Sequence, residues 1–201
     1  MVVGINVAAR TQDAGRVGAS SVGELPSKIY ASEELPGRGF ARFLNFAFMK
    51  LVRTDNSRED FRALVKRLDA HLAVTDEDEH DFYHQYNGLD AIKHVVMAYE
   101  GGTPIACGAI KAYDDSTMEV KRMFTAEAAR GQGIAVIVLG ELEDWAKELG
   151  YTRCLLETGK RQPYAVRLYE KCGYRVVPNY GQYAGMENSV CMEKSFTKHP
   201  F

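Results

Sequence analysis

A glycine-rich turn between a predicted strand and a predicted helix is the feature that most constrains the fold of this chain. Within RMFTAEAARGQGIAVIVLGELEDWAKELG, residues 122–150, the turn at 130–135 places Gly131 and Gly133 where the helix begins. Apolar residues then recur at the spacing of one helix face. They are Ala135, Val138, Leu139, Leu142, Trp145, Ala146 and Leu149. The stretch therefore predicts a strand, a tight turn and an amphipathic helix.

A helix start with so few side chains suits a bound anion. The first N–H groups of a helix are unpaired and carry partial positive charge, so a phosphate binds well there. The two glycines allow close approach to the backbone, and an arginine adds positive charge beside them. We predict a pyrophosphate site on Arg130, Gly131, Gln132, Gly133, Ile134 and Ala135. A tight connection without any ligand is the alternative interpretation.

The turn matches neither of two widespread phosphate motifs. A Walker A loop requires Gly-Lys-Ser/Thr after its glycines, and none follows here. The dinucleotide fingerprint requires a third glycine at the position that Val136 occupies. The phosphate prediction therefore needs support from the rest of the chain.

Composition argues against several classes of function. The chain has 201 residues, is 46% hydrophobic and 26% charged, and carries a net charge of -2. One core is expected, and nothing indicates a basic face for nucleic acid. Four scattered cysteines are typical of buried thiols rather than of a zinc cluster. No apolar run approaches the roughly 20 residues that span a membrane, and the first residues lack a signal-peptide pattern. We expect a cytoplasmic protein without nucleic-acid or membrane partners.

The chain divides into an N-terminal extension, residues 1–48, and a domain over 49–201. The extension is rich in Gly, Ser and Pro without periodicity, which predicts an irregular or accessory segment. Its last part, FARFLNFAF, packs either on the domain or on a second copy of the chain, so a homodimer is left open. From residue 49 the patterns predict a strand, two helices, three strands, a helix, a strand, a helix and two strands.

Two motifs resemble those of the GNAT superfamily of N-acetyltransferases. Its coenzyme motif, Arg/Gln-x-x-Gly-x-Gly/Ala, is matched by Arg130, Gly133 and Ala135. Its second signature is Asn-x-x-Ala-x-x-Leu-Tyr-x-Lys-x-Gly-Phe/Tyr, and QPYAVRLYEKCGY matches it at Ala165, Leu168, Tyr169, Lys171, Gly173 and Tyr174. Gln162 replaces the usual Asn, which keeps an amide but changes its reach. The resemblance covers roughly residues 49–196.

The resemblance implies an α+β fold of α/β/α layers, the acyl-CoA N-acyltransferase fold. Its mixed, mostly antiparallel sheet is flanked by helices and splays open between its fourth and fifth strands, here 117–125 and 152–157. The pantetheine arm of acetyl-CoA, the implied cosubstrate, would lie in that opening. No metal is implied. Beyond the turn, the implied coenzyme residues are Met123 and Thr125 as backbone partners, Met123 and Phe124 as oxyanion donors, and Gln162 and Ala165 on the following helix.

Acetyl transfer to an amine needs a deprotonated amine, donors for the developing oxyanion and a proton for the departing thiolate. By resemblance, Tyr169 supplies that proton. The alternative is a core tyrosine, because it belongs to an apolar helical stripe. Glu119, eleven residues before Arg130, is the candidate base, because the resemblance implies a catalytic glutamate at this position in some members that acetylate proteins. The alternative is a solvated strand residue.

Several residues are candidates for the acceptor site. TDEDEHDFYHQYN, residues 75–87, would wall that site by resemblance, and its acids and aromatics could attract a cationic amine. The alternative is a solvated helix face. His80 and His84 have i, i+4 spacing, but no third metal ligand is evident. Glu157 and the segment NYGQY, residues 179–183, are further candidates for the pocket wall, or a strand-end charge and a turn.

We therefore predict an N-acetyltransferase that moves an acetyl group from acetyl-CoA to a primary amine by direct attack in a ternary complex. No cysteine lies in a recognisable nucleophile motif, so an acetyl-enzyme is not favoured. The preferred acceptor is a small or amino-acid-like amine, with a protein amine second. A non-catalytic acetyl-CoA-binding regulatory domain is the rival hypothesis, and a module for another nucleotide is the third.

Overall fold

The computed structural model describes residues 27–30, 49–75, 83, 85–86 and 88–196. Its strands are β1 Ser27–Tyr30, β2 Met49–Thr54, β3 His94–Glu100, β4 Thr103–Asp114, β5 Thr117–Thr125, β6 Arg153–Gly159, β7 Arg175–Val176 and β8 Ser189–Ser195. Three α-helices lie wholly within the described residues: α1 Glu59–Thr75, α2 Ile134–Glu148 and α3 Pro163–Lys171. The strands form one sheet in the order β1-β2-β3-β4-β5-β6-β8-β7.

The sheet opens between β5 and β6, its one parallel pair among the described strands. Their register runs from Thr117 opposite Arg153 to Val120 opposite Leu156, and the pairing ends there. Both strands continue beyond that point, so their ends separate and leave a gap. Counted from β2, these are the fourth and fifth strands. The predicted fold class, a mixed and mostly antiparallel sheet that splays at this position, is confirmed.

Helices cover both faces of the sheet. On one face α1 packs Phe61, Leu64 and Val65 against Val95 and Met97 of β3, all nearly inaccessible to solvent. The opposite face carries α2 and α3. Its core includes Val138, Leu139 and Leu142 of α2 with Val96, Ile110, Val120, Leu156 and Tyr169. Apolar burial on each face thus fixes the three layers and places the starts of α2 and α3 beside the gap.

Part of the N-terminal extension belongs to the sheet. β1 pairs antiparallel with β2, from Ser27 opposite Val52 to Tyr30 opposite Met49. These four residues are therefore an accessory edge strand rather than an irregular segment. The division of the chain at residue 48 stays a prediction. FARFLNFAF, His80, His84 and most of the predicted second helix lie outside the described residues.

The strand predicted after α3 is shorter than expected. The pattern YRVVPNY predicts a strand over 174–180, but only Arg175–Val176 adopts it. Pro178 has no N–H for a ladder, and Gly181–Tyr183 then forms a short 3₁₀ turn that returns toward the sheet. None of the described helices has the length and apolar character needed to cross a bilayer.

Candidate active site

The predicted coenzyme residues line one cleft, at the gap between β5 and β6. The cleft has a volume of about 880 Å³, in the range of small-molecule sites. Its walls include Met123, Phe124, Thr125, Arg130, Gly131, Gly133, Ile134, Ala135, Gln162, Ala165 and Tyr169. Gln132 is the predicted residue missing from this wall. Its side-chain amide instead donates a hydrogen bond to the Ala128 carbonyl at 3.3 Å.

The glycine turn has the backbone conformation of a ligand cradle. Gly131 and Gly133 have φ angles of 76° and 79°, in the left-handed region that favours glycine. A Cβ at either position would meet nothing within 4 Å, so backbone conformation, not crowding by the protein, calls for glycine. The helical bonds of α2 begin with the N–H groups of Val136 and Ile137, which donate to the Gly133 carbonyl. The N–H groups just before them are the ones that helix geometry leaves for an anion.

Arg130 joins this turn to the end of β5. Its Nε donates a hydrogen bond to the Thr125 carbonyl at 3.1 Å, and its guanidinium lies 6.0 Å from the centre of the Phe124 ring. These contacts hold the exposed guanidinium at the wall of the cleft. The helix dipole and this guanidinium have the same sign at the same place, which suits a phosphate group.

A β-bulge in β5 shapes the middle of the cleft. Lys121 pairs with Ala109 and Phe124 with Cys107, so two residues of β5 lie opposite the single Gly108 of β4. One of the two is Arg122, whose φ of 58° makes it the one non-glycine residue with positive φ in the described chain. A bulge leaves backbone groups out of the ladder. This is consistent with the predicted role of Met123 as an N–H donor. Phe124 lies opposite Cys107 in the ladder, so its role as a donor stays a prediction.

A buried ion pair ties the bulge to α1. Nη1 of Arg122 lies 2.7 Å from Oδ1 of Asp69, and the two side chains are 4% and 30% exposed. Because left-handed backbone costs a non-glycine residue roughly 1–2 kcal/mol, this contact helps hold a strained position. The pair therefore couples the helix at one face of the sheet to the strand that forms the cleft.

Replacing Asp69 with Ala is expected to lower the free energy of unfolding by about 2 kcal/mol. Removing one partner of a buried pair costs about 3–5 kcal/mol, and we reduce this because Asp69 is partly exposed. The measurement is urea unfolding at neutral pH. Asp144→Ala is the control, because the Asp144–Lys147 pair is exposed and contributes about 0.5 kcal/mol or less. Equal losses in the two variants would contradict a structural role for the Arg122 pair.

A smaller pocket adjoins the coenzyme cleft. It encloses about 130 Å³ and shares Leu68, Met123, Gln162, Ala165 and Tyr169 with the larger cleft. Its remaining walls are Leu72, Tyr83, Val120, Lys121, Arg122, Glu157, Thr158, Gly159 and Tyr183. Among the candidates for an acceptor site, Glu157 and Tyr183 thus do line a pocket. Tyr169 lies where the two spaces meet.

Glu119 lies beneath this pocket rather than in its wall. The side chain is 2% exposed, so the alternative of a solvated strand residue is wrong. Its carboxylate oxygens lie 3.4 Å from Nζ of Lys121 and 3.7 Å from Nζ of Lys111, and Tyr180 donates to it at 3.3 Å. Glu119 lines neither cavity. The role of Glu119 as a general base stays a prediction.

Glu157 is the carboxylate that the pocket does contain. It accepts a hydrogen bond from Oγ of Ser189 at 2.8 Å, and that hydroxyl lies 3.0 Å from the Tyr83 hydroxyl. Burial raises the pKa of the Tyr169 phenol above its ordinary value, and Cys172 and the nearby Glu157 raise the pKa further. Tyr169 is therefore protonated at neutral pH and able to donate a proton. A protonated phenol and a carboxylate thus lie close together where the two spaces meet.

Sequence reasoning missed the contributions of Lys121, Arg122 and α1 to the pocket. Alternation along β5 would place Lys121 and Arg122 on opposite faces, and only the bulge brings both to one wall. A usable signal was present all the same. Three charged residues, Glu119, Lys121 and Arg122, occur in the middle of a strand that is otherwise buried, and buried charges are seldom without a partner or a role.

Known proteins are similar to this chain in sequence and in fold. Residues 58–174 match the model of the Acetyltransferase (GNAT) family. An "IAA acetyltransferase" of Azospirillum brasilense is 38% identical over 100 residues, which span 49% of this chain and 65% of that relative. The crystal structure of a proposed acyl-CoA N-acyltransferase from Klebsiella pneumoniae has a TM-score of 0.63 at 25% identity, over 74% of this chain and 98% of that one.

A further solved structure agrees in fold and contains the coenzyme. It is a GNAT family acetyltransferase from Elizabethkingia anophelis with acetyl-CoA bound, and its TM-score is 0.55 at 19% identity, over 74% of this chain and 98% of the other. The family match spans more than half of this chain and contains both the glycine turn and Tyr169. With the splayed sheet in place as well, the chain belongs to the GNAT family of acetyltransferases.

Proposed function

We propose that the protein transfers an acetyl group from acetyl-CoA to the amine of a small acceptor. The observation that supports this most directly is that the coenzyme cleft and the smaller pocket adjoin each other and share lining residues. A cleft of about 880 Å³ has the phosphate cradle in its wall, and a pocket of about 130 Å³ adjoins it. Tyr169 lines both. Two substrates can therefore be held at once with their reactive groups on either side of one phenol.

Acetyl-CoA binds in the larger cleft through this chain's backbone and Arg130. The N–H groups of residues 131–135 hold the pyrophosphate, since the Arg130 N–H donates to the Glu127 carbonyl and only the guanidinium of Arg130 is left for the phosphates. The backbone of Met123 and Thr125 pairs with the pantetheine arm in the gap. Gln162 and Ala165 close the opposite wall. The coenzyme is a cosubstrate that supplies the acetyl thioester, and no metal is required for its transfer. We expect this reaction in the cytoplasm.

The two adjoining spaces, with Tyr169 in the wall of both, allow the amine to attack the thioester directly. The amine nitrogen bonds to the thioester carbon, and N–H groups near Met123 and Phe124 stabilise the oxyanion, at about 3–4 kcal/mol per donor. The carbon–sulfur bond then breaks. The departing sulfur takes the Tyr169 proton, and the proton of the amine passes to a base. A free thiol has a pKa of about 8.5, so the thiolate is already a fair leaving group.

Glu157 is our first candidate for that base, with Glu119 second. Glu157 lines the pocket and lies near the phenol of Tyr169, whereas Glu119 contacts two lysines and lines neither cavity. A base must come within hydrogen-bond reach of the proton that it removes, directly or through one water. The hydrogen bond from Ser189 orients the Glu157 carboxylate for this role.

Replacing Glu157 with Gln is expected to lower kcat/KM about 10²-fold or more, because general-base catalysis contributes about 10²–10⁴-fold. Rates are first corrected for the fraction of free amine, because protonation of the amine itself slows every variant as pH falls. The acidic limb that then remains in the pH–rate profile reports loss of a base, and it should disappear in this variant. Glu119→Gln is the matched control and should retain that limb. Profiles are measured by thiol release at saturating acetyl-CoA. If Glu119→Gln loses the acidic limb and Glu157→Gln keeps it, Glu119 is the base and Glu157 is not.

The size of the pocket favours a small acceptor over a protein amine. The pocket measures about 130 Å³, against about 880 Å³ for the coenzyme cleft. Aromatic rings of Tyr83 and Tyr183 form part of its wall and suit the aliphatic part of a small molecule. Acetylation of peptides at rates equal to those of small amines would count against this choice.

A further inference from the structure

We propose that the acceptor is an amine that also carries an anionic group, as amino acids do, and that Lys121 binds this group. The inference rests on the proposed function, because it names the substrate class of the same pocket. It follows from the balance of charge around the pocket and from the positions of the charged groups relative to Tyr169.

The first step concerns the lysine pair around Glu119. Nζ of Lys121 and Nζ of Lys111 lie 3.4 Å and 3.7 Å from its two carboxylate oxygens. Among the described residues, one carboxylate thus serves two ammonium groups, and these three side chains together carry one positive charge in excess. Lys111 is 33% exposed and is screened by water, whereas Lys121 is 11% exposed and lines the pocket. The excess charge is therefore felt most strongly inside the pocket.

The second step concerns the orientation of Lys121. Its ammonium donates a hydrogen bond to the Tyr183 hydroxyl at 3.0 Å and lies 5.7 Å from the centre of that ring. Tyr183 also lines the pocket. Two contacts, Tyr183 and Glu119, therefore hold the ammonium in place, and a lysine ammonium has three donor hydrogens. A preorganised cation of this kind binds an anion at little entropic cost.

The third step concerns the other charges. Arg122 lines the same pocket, but its charge is balanced by Asp69 at 2.7 Å. Glu157 provides the negative charge, and the Tyr169 pKa reflects its nearness to that phenol. The pocket wall thus holds a carboxylate near Tyr169 and an ammonium at Lys121. A zwitterion with its amine at Glu157 and its anion at Lys121 matches both.

Acceptors of other classes fit less well. A diamine would bring a second positive charge toward the excess charge at Lys121. A neutral analogue would leave that ammonium without an anion in a small, partly desolvated space. A site built to bind a polar group rejects analogues that lack it far more strongly than a hydrophobic pocket rejects a missing methylene.

The test compares each amino acid with its own carboxamide, over glycine, β-alanine and γ-aminobutyrate, at concentrations corrected for the free amine. In the wild type we expect kcat/KM to favour the carboxylate by about tenfold or more. Lys121→Met should remove this preference, mainly through KM, and Lys121→Arg should restore part of it. Lys111→Met is the matched control. It removes the other cation at Glu119 without altering the pocket wall, and should keep the preference.

Two results would overturn the inference while leaving the proposed function intact. They are wild-type turnover that favours carboxamides or diamines, and a carboxylate preference that persists in Lys121→Met. If no amine is turned over, the proposed function fails, and thermal unfolding of the CoA complex still decides the inference. If the amino acids raise the unfolding midpoint of the CoA complex, their carboxamides do not, and Lys121→Met loses this effect, the anion site is supported. If each amino acid and its carboxamide raise the midpoint equally, the anion site is refuted.

Discussion

Replacing Gly133 with Glu is expected to abolish the stabilisation that acetyl-CoA gives the folded protein. Gly133 begins α2 with a φ of 79°, and its neighbours present the N–H groups of the cradle. A glutamate would strain the left-handed backbone and place a side chain and a negative charge where the pyrophosphate binds. Each of these changes weakens binding, and together they should raise the dissociation constant by about 100-fold or more.

The measurement is thermal unfolding with and without acetyl-CoA. A ligand at a hundredfold excess over its dissociation constant stabilises the folded state by about 2.7 kcal/mol, so a hundredfold loss of affinity removes most of the shift. Gly150→Glu is the matched control. Gly150 follows the other end of α2 with a φ of 90°, and a Cβ there would also meet nothing within 4 Å.

The control carries the same backbone strain and the same charge, but lies outside the cleft. Gly150→Glu should lower the midpoint temperature of unfolding in the absence of ligand. Acetyl-CoA should still raise that midpoint as much as it does in the wild type. A full ligand response in Gly133→Glu would show that the turn is a structural connection and not a phosphate cradle. A lost response in both variants would show that strain in α2 alone explains the effect.

Tyr169→Phe is expected to lower kcat about 100-fold while leaving acetyl-CoA binding unchanged. Proton transfer by a positioned acid contributes about 10²–10⁴-fold, and the lower end applies because a thiolate is a fair leaving group. Phe keeps the ring and its packing in the core of the α2 face. Because burial raises the pKa of this phenol, the wild type should also keep its kcat up to a pH of about 10, the ordinary pKa of tyrosine.

Tyr174→Phe is the matched control for the loss of a buried hydroxyl. Its ring meets that of Tyr169 edge to face at 5.8 Å, it is 3% exposed, and it lines neither cavity. This variant should retain turnover. If the two variants lose kcat equally, or if Tyr169→Phe loses none, Tyr169 is a packing residue of the core, as its apolar stripe also permits. The two rates are compared at saturating acetyl-CoA, with the thermal shift as the check on binding.

Local patterns predicted the elements that depend on local physics. The conformation of the glycine turn follows from Gly131 and Gly133 themselves, and the amphipathic stripe that begins at Ala135 determines which face of α2 is buried. The helix that ends before Gly173, with its φ of 89°, is equally local. The gap between β5 and β6 is different, since it was inferred by resemblance and not from the residues of either strand.

The pocket depended on contacts that no local pattern encodes. The bulge at Arg122 reverses the alternation of β5, and it is held by Asp69 of α1, far away in sequence. Glu119 looked like the base because of its position ahead of the turn, yet two lysines enclose it and Glu157 of the next strand enters the pocket instead. Long-range pairing decides which of several carboxylates lines the pocket, so spacing alone does not predict it.

The measurement that tests the central claim most directly is thiol release from acetyl-CoA with a panel of small amines, with the products identified by mass spectrometry. The proposed function predicts amine-dependent release of CoA with an equal amount of N-acetylated amine. That rate should fall in Tyr169→Phe. Binding of acetyl-CoA without acetyl transfer to any amine would contradict it, and would identify the protein as a coenzyme-binding regulatory domain.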